Sequence, residues 1–252
     1  MSTLIQTLEW DSNFFGMHIA RLLPSAIASH QIDNVNRHCR EEAVDVLYWL
    51  ADPKHPGLGD TAFRCGFHFM DFRLDFRRQL ISSGQTFTCK NPIRLCDAKD
   101  VNTLARIASK SHSDSRFGLD PLLRTRHELL FEEWVRRDFR RSDGAFFVAD
   151  RGNGACGYCT CQYSSAGEPV GKIGLVGVAA DCQGLGLGKQ LVQSAIDWLA
   201  SVDCPAVSVV TQGSNIAAQS LYQSMGFKTH SSGVWFHRST QPIPSRRVSR
   251  GA

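Results

Sequence analysis

The sequence predicts an α/β chain of two units, and three observations carry that prediction. The first is the stretch from Ile173 to Leu199, IGLVGVAADCQGLGLGKQLVQSAIDWL, an apolar run that passes through a glycine-rich turn into an amphipathic segment. In that segment Leu191, Val192, Ala195, Ile196 and Leu199 recur at helical spacing. The second is the alternation of strand-like and helix-like periods along the rest of the chain. The third is the break at Ser82-Ser83-Gly84-Gln85, whose turn chemistry separates an N-terminal segment from the remainder.

Taken in order, residues 1–84 read as a small α/β unit. It has strands at Leu4–Trp10, His18–Leu23, Val44–Leu50 and Phe67–Phe76, with helices at Ile32–Ala43 and Gly59–Cys65. Residues 85–238 begin with a strand at Pro92–Cys96 and helices at Lys99–Lys110 and Leu122–Arg140. Strands follow at Ala145–Asp150, Ala155–Ser164 and Val170–Val178, the first two joined by the hairpin signal Arg151-Gly152-Asn153-Gly154. Ser165-Ala166-Gly167 breaks the next pair, and a further strand is expected at Ala206–Thr211. The segment 239–252, STQPIPSRRVSRGA, has the composition of a flexible tail.

Composition excludes several classes. No apolar run approaches the roughly 18–20 residues that cross a bilayer, and Met1-Ser2-Thr3 opens no secretory signal, so a cytoplasmic protein is expected. Nine cysteines without such a signal are expected as free thiols. Cys156-x-x-Cys159-x-Cys161 lacks a second ligand pair and reads as a strand, with Cys159 and Cys161 on one face and Cys156 on the other; no metal is expected. The net charge of +4 leaves no nucleic-acid footprint. Arg136, Arg137, Arg140 and Arg141 read either as a solvated helix end or as a hold for a polyphosphate.

Gln183-Gly184-Leu185-Gly186-Leu187-Gly188 has the chemistry of a diphosphate cradle. Glycines admit the left-handed dihedrals and close approach that let unpaired N–H groups at a helix N-terminus converge on an anion, and Lys189 adds a positive charge. The order is neither that of the P-loop nor that of the dinucleotide-binding turn.

The pattern Val178-x-x-x-x-Gln183-x-x-Gly186-x-Gly188 resembles the acyl-CoA motif of the GNAT family of N-acetyltransferases. The run from Asn215 to Phe227, NIAAQSLYQSMGF, resembles a second motif of that family, at the usual separation. The resemblance implies a GNAT fold, a central mixed and mostly antiparallel sheet, preceded by a truncated GNAT-like α/β domain. It implies acetyl-CoA as co-substrate, held at Gln183 through Lys189, with the backbone of Val176 and Val178 pairing the pantetheine arm and Gly177 admitting it. In this reading Asn215 bonds the pantetheine or caps its helix, Ser214 being the alternative cap. Tyr222, two helical turns beyond Asn215, is the candidate general acid, because a phenol stays protonated where a thiolate departs.

Two further segments, Leu8 to Gly16 (LEWDSNFFG) and Ser115 to Pro121 (SRFGLDP), look like parts of the TDP-fucosamine acetyltransferase group. That likeness implies direct transfer to the 4-amino group of a TDP- or UDP-linked amino-dideoxy sugar, commonly by a homodimer. Arg116 would clamp the diphosphate, Phe117 or Trp134 would pack on sugar or base, and His112 and Asp114 are possible participants. The chain departs from the superfamily at Ala180, often proline, and in having no Asp or Glu between Gly171 and Ala180, which leaves the general base to a water relay. The alternatives are an acetyltransferase of another small amine, such as an antibiotic, a polyamine or an amino acid, and a non-catalytic acyl-CoA sensor.

Overall fold

The computed structural model describes residues 4–81, 86–112, 115–163 and 169–240. In chain order it has β1 Ile5–Thr7, α1 Glu9–Phe15, β2 Ile19–Leu22, α2 Ile32–Glu41, β3 Val46–Ala51, α3 Leu58–Arg64 and β4 His68–Gln79. Then come β5 Ile93–Leu95, α4 Val101–Ser111, α5 Arg116–Leu119, α6 His127–Phe139, β6 Gly144–Asp150, β7 Ala155–Gln162 and β8 Gly171–Val178. The series continues with α7 Leu187–Ser201, β9 Ala206–Gln212, α8 Ile216–Ser224 and β10 Lys228–Ser239. The expected breaks at 82–85 and 165–167, nearly all of the expected tail, and Asp114 lie outside the described residues.

Three expectations need correction. The strand expected at Leu4–Trp10 stops at Thr7, because acidic Glu9 and Asp11 suit a helix N-terminus and Ser12 Oγ donates to Leu8 O, while Gly16 at φ 70° ends the turn. The helix expected from Leu122 starts at His127, since Asp120 holds the preceding segment as a turn, accepting from Leu122 N–H at 2.9 Å. β10 has no counterpart in the sequence reading: its first five residues are all exposed, and only beyond them do Val234 and Phe236 turn inward.

Two compact units interleave along the chain. The first comprises 1–73, 114–126 and 232–252, the second 74–113 and 127–231, so the boundaries fall inside β4 and β10. In the first unit β1 pairs antiparallel with β2, β2 parallel with β3, and β3 antiparallel with the Val234–Ser239 end of β10. Its core gathers Leu22, Val35, Leu47, Trp49, Phe67 and Phe236.

The second unit is a sheet in the order β9-β8-β7-β6-β5, parallel between β8 and β9 and antiparallel elsewhere. The apolar stripe of α7 lies on one face, where Leu191, Val192, Ala195, Ile196 and Leu199 are buried with Cys159, Phe76 and Tyr222. On the other face Leu104, Ala108, Phe131 and Val135 of α4 and α6 pack with Val148 and Tyr158. Cys156 corrects its expected placement. A bulge opposite Ala149/Asp150 shifts the register there, and Cys156 packs against the same core as Cys159 and Cys161. Among the described residues no group of three or more His, Cys, Asp or Glu side chains is placed to hold a metal ion, and no helix is long and apolar enough to cross a membrane.

Candidate functional site

β8 owes its chemistry to an incomplete pairing. Its parallel ladder with β9 runs from Gly171↔Val207 to Ile173↔Val209 and stops, so residues 174–178 have no strand beside that edge. On the other edge Ala179 N–H donates to Cys156 O at 2.8 Å, and Leu175 N–H reaches Thr160 Oγ1 at 2.9 Å. Antiparallel alternation therefore turns the N–H and C=O of Val176 and Val178 away from β7, into the open edge. Gln183 uses part of that edge itself, its Nε2 donating to Val178 O at 3.2 Å.

Gly177 has a packing reason for being glycine. A Cβ there would stand 2.6 Å from the Tyr158 ring, which faces it across the β7–β8 pair. Gly177→Ala is expected to destabilise the protein by about 1–3 kcal/mol through overpacking; a thermal melt with no change in midpoint would contradict this.

The cradle follows directly. A 3₁₀ turn at Ala180–Cys182 leads to Gly184 at φ 77° and Gly186 at φ 76°, left-handed positions that glycine fills without strain. Gly186 is the N-cap of α7, and the first main-chain bond of the helix runs from Gln190 N–H to Gly186 O at 3.2 Å. Among the described residues no main-chain carbonyl accepts from the N–H groups of Gly184, Leu185, Gly186, Leu187, Gly188 or Lys189. Gln183, Leu185 and Lys189 are exposed, while Leu187 is buried and anchors the helix start to the core. Unpaired donors at the positive end of a 15-residue helix are chemically suited to an anion.

Tyr222, on α8, packs into the same core layer as Val176 and Val178, with ring centroids 6.2 Å from Phe76 and 5.8 Å from Phe227. Burial pushes its phenol above its ordinary value, so it is protonated at neutral pH. Its hydroxyl makes no hydrogen bond among the described residues. Asn215 is the N-cap of α8, its Oδ1 accepting from Ala218 N–H at 3.0 Å.

The other sequence candidates are more enclosed than expected. His112 stacks on Phe131 at 4.5 Å and its Nε2 meets the buried Tyr158 hydroxyl at 3.2 Å; burial lowers its pKa to about 4. That makes it a poor base at neutral pH. Trp134 belongs to the same core, against Phe131 at 5.1 Å. Arg136, Arg137, Arg140 and Arg141 each bind a carboxylate, of Glu132, Asp138, Glu133 and Asp143, so they form an ion-paired helix end.

Arg116 and Phe117 belong to the first unit, in a cluster the sequence did not reveal. The Arg116 guanidinium lies 4.5 Å from the Tyr48 ring, 4.0 Å from Phe117 and 4.2 Å from Trp235. Its Nη1 donates to His237 Nε2 at 2.6 Å, and His237 Nδ1 donates to Asp120 Oδ2 at 2.7 Å, which fixes the neutral tautomer. Burial, and to a lesser extent Arg116, lower the His237 pKa to about 4, although Asp120 opposes them. Burial also opposes ionisation of Asp120, yet the His237 and backbone hydrogen bonds hold its carboxyl below the usual range. Asp120 was visible only as part of the SRFGLD run; His237 and Tyr48 had no pattern to betray them.

These two histidines set an acid limit. Their unfolded forms take up a proton near pH 6.5 and the folded forms only near 4, so stability is complete above 6.5 and falls as pH drops toward 4. For His237, 1% exposed, the loss is on the order of 3 kcal/mol. Denaturant titrations at pH 7 and pH 4.5 are expected to show this fall, reduced in His237→Gln; equal stability at both values would contradict it.

Comparison with known proteins is consistent with the second unit's geometry. The Acetyltransferase (GNAT) family model matches residues 105–227. A mycothiol acetyltransferase from Acidothermus cellulolyticus is 26% identical over 199 residues, 73% of this chain and 59% of that protein. One from Amycolatopsis mediterranei is 33% identical over 115 residues, 42% of this chain and 38% of that protein. The chain thus spans less than two thirds of these relatives' length. Among solved structures, a GCN5-related N-acetyltransferase from Sphaerobacter thermophilus aligns with TM-score 0.65 at 13% identity, covering 96% of this chain and 78% of that one. A tandem GNAT protein from the clavulanic acid biosynthesis pathway aligns with TM-score 0.54 at 14% identity, covering 90% and 76%. The fold is that of these proteins.

Proposed function

We propose that the chain is a GNAT acetyltransferase, on the match of the family model to residues 105–227, and that it transfers an acetyl group from acetyl-CoA directly to an amine of a small molecule. The observation that carries this reading is the open edge of β8 beside an unpaired cradle. Val176 and Val178 offer main-chain groups that would hold an extended pantetheine arm as an added strand. The Val178 N–H, unlike its carbonyl, has no partner among the described residues and is the candidate donor to the developing oxyanion. The N–H groups from Gly184 to Lys189 take the diphosphate.

In the transfer, the amine nitrogen bonds to the thioester carbon, the C–S bond breaks, and Tyr222 gives its proton to the departing sulfur and recovers one through the water that takes the amine's proton. With His112 held at a pKa of about 4, the amine loses its proton to water.

Two acceptor classes are distinguished by different observations. The segments around Trp10 and Arg116 favour a nucleotide-linked 4-amino sugar, whereas the relatives named mycothiol acetyltransferases favour the acceptor of those enzymes. Thiol release from acetyl-CoA is measured with TDP- and UDP-4-amino sugars, the mycothiol acetyltransferase acceptor, spermidine and an aminoglycoside. Turnover with one class assigns the acceptor; CoA binding without turnover on any amine overturns the catalytic reading in favour of an acyl-CoA sensor. The reading extends to a cytoplasmic homodimer, which sedimentation of the purified chain and cell fractionation test.

A further inference from the structure

We propose that the first unit holds a binding site for an oxyanion, phosphoryl or carboxylate, formed by the guanidinium groups of Arg21 and Arg116 and the hydroxyl of Tyr48. The inference rests on the transferase reading only in taking that oxyanion to be part of the acceptor.

Two arginines share one indole: Arg116 lies 4.2 Å and Arg21 5.6 Å from the Trp235 ring centroid. Neither has a carboxylate partner among the described residues. The hydrogen bond of Arg116 goes to His237, whose remaining ring proton is committed to Asp120, so the guanidinium is bonded to a neutral acceptor. Beyond His237 the Arg116 guanidinium has the Tyr48 hydroxyl beside it, and Arg21 Nε is buried without a partner among the described residues. Asp11 is near enough to be felt electrostatically, and burial raises its own pKa. Arg73 adds a further like charge beside Arg21.

A guanidinium taken from water needs acceptors for its planar fork, and like charges held together in a low dielectric repel. Desolvation accordingly outweighs every other influence on Arg116 and lowers its pKa to about 10. Tyr48 supplies a further observation: it is 1% exposed, and its hydroxyl oxygen can only accept from the Arg116 guanidinium beside it, so the O–H proton finds no acceptor among the described residues. A buried hydroxyl is ordinarily satisfied. Arg21 Nε and the Tyr48 O–H, left without acceptors beside the Arg116 guanidinium on side chains that a neutral relay and aromatic rings hold in place, are complementary to a group carrying several lone-pair oxygens.

The test titrates the full chain with inorganic pyrophosphate and, separately, malonate, in the presence and absence of CoA, following tryptophan fluorescence and heat. One site is expected that CoA leaves available. Arg21→Gln should weaken it by about 10-fold or more and Tyr48→Phe by several-fold. Tyr48→Phe should keep or raise the melting temperature, since it removes an unsatisfied buried group. Binding of pyrophosphate alone assigns a phosphoryl group, and of malonate alone a carboxylate. The proposal is overturned if neither anion binds, if both variants bind like the wild type, or if Lys189→Ala abolishes binding and so traces it to the cradle. Because anion binding is read directly, a failure to acetylate any amine does not alter the result of this titration.

Discussion

Tyr222→Phe is expected to lower acetyl transfer by about 10²-fold or more while leaving acetyl-CoA affinity nearly unchanged. The substitution keeps the ring, and with it the contacts to Phe76 and Phe227 that seat α8 on the core. It removes only a hydroxyl that bonds nothing among the described residues, so neither folding nor the cradle should notice. What is lost is the proton for the leaving thiolate. Steady-state thiol release together with a calorimetric titration of CoA separates the two effects. A variant with normal turnover would remove Tyr222 from the mechanism; one that loses CoA affinity in proportion to activity would make it a packing residue.

Asp120→Ala is expected to destabilise the protein by about 3–5 kcal/mol. Asp120 is 4% exposed, accepts from His237 Nδ1 and holds the turn before α6 through Leu122 N–H. Without it the imidazole keeps an unsatisfied buried N–H, and the Arg116 guanidinium loses the only anion in its relay. Asp120→Asn retains an acceptor and should recover part of the loss. Chemical denaturation of the three proteins checks the order; an alanine variant within about 1 kcal/mol of wild type would show that the relay contributes little.

The second unit was largely legible because its signals are local. α7 declared itself by period, and all five residues expected on its inner face are buried. Gly184 and Gly186 marked the left-handed positions of the cradle for the same reason. The open edge of β8 was expected only through the family resemblance, since nothing in the run GKIGLVGV says where pairing with β9 ends. The Arg116 relay joins residues 117 and 121 positions apart, and no periodicity carries such a contact. Gly177 looked like an accommodation for a ligand, whereas Tyr158 alone already excludes a side chain there. α1 was lost because a three-residue strand and a seven-residue helix follow each other without a strong break.

The β8 edge and the start of α7 are the proposed seat of acetyl-CoA. Backbone amide NMR of the labelled chain during an acetyl-CoA titration tests it most directly. The largest shifts are expected on Gly184 to Lys189 and on Val176 and Val178, and Gly186→Val, strained at φ 76° and crowding the cradle, is expected to weaken binding by about 10-fold or more. Shifts concentrated elsewhere, or a Gly186→Val variant that binds like the wild type, would contradict it.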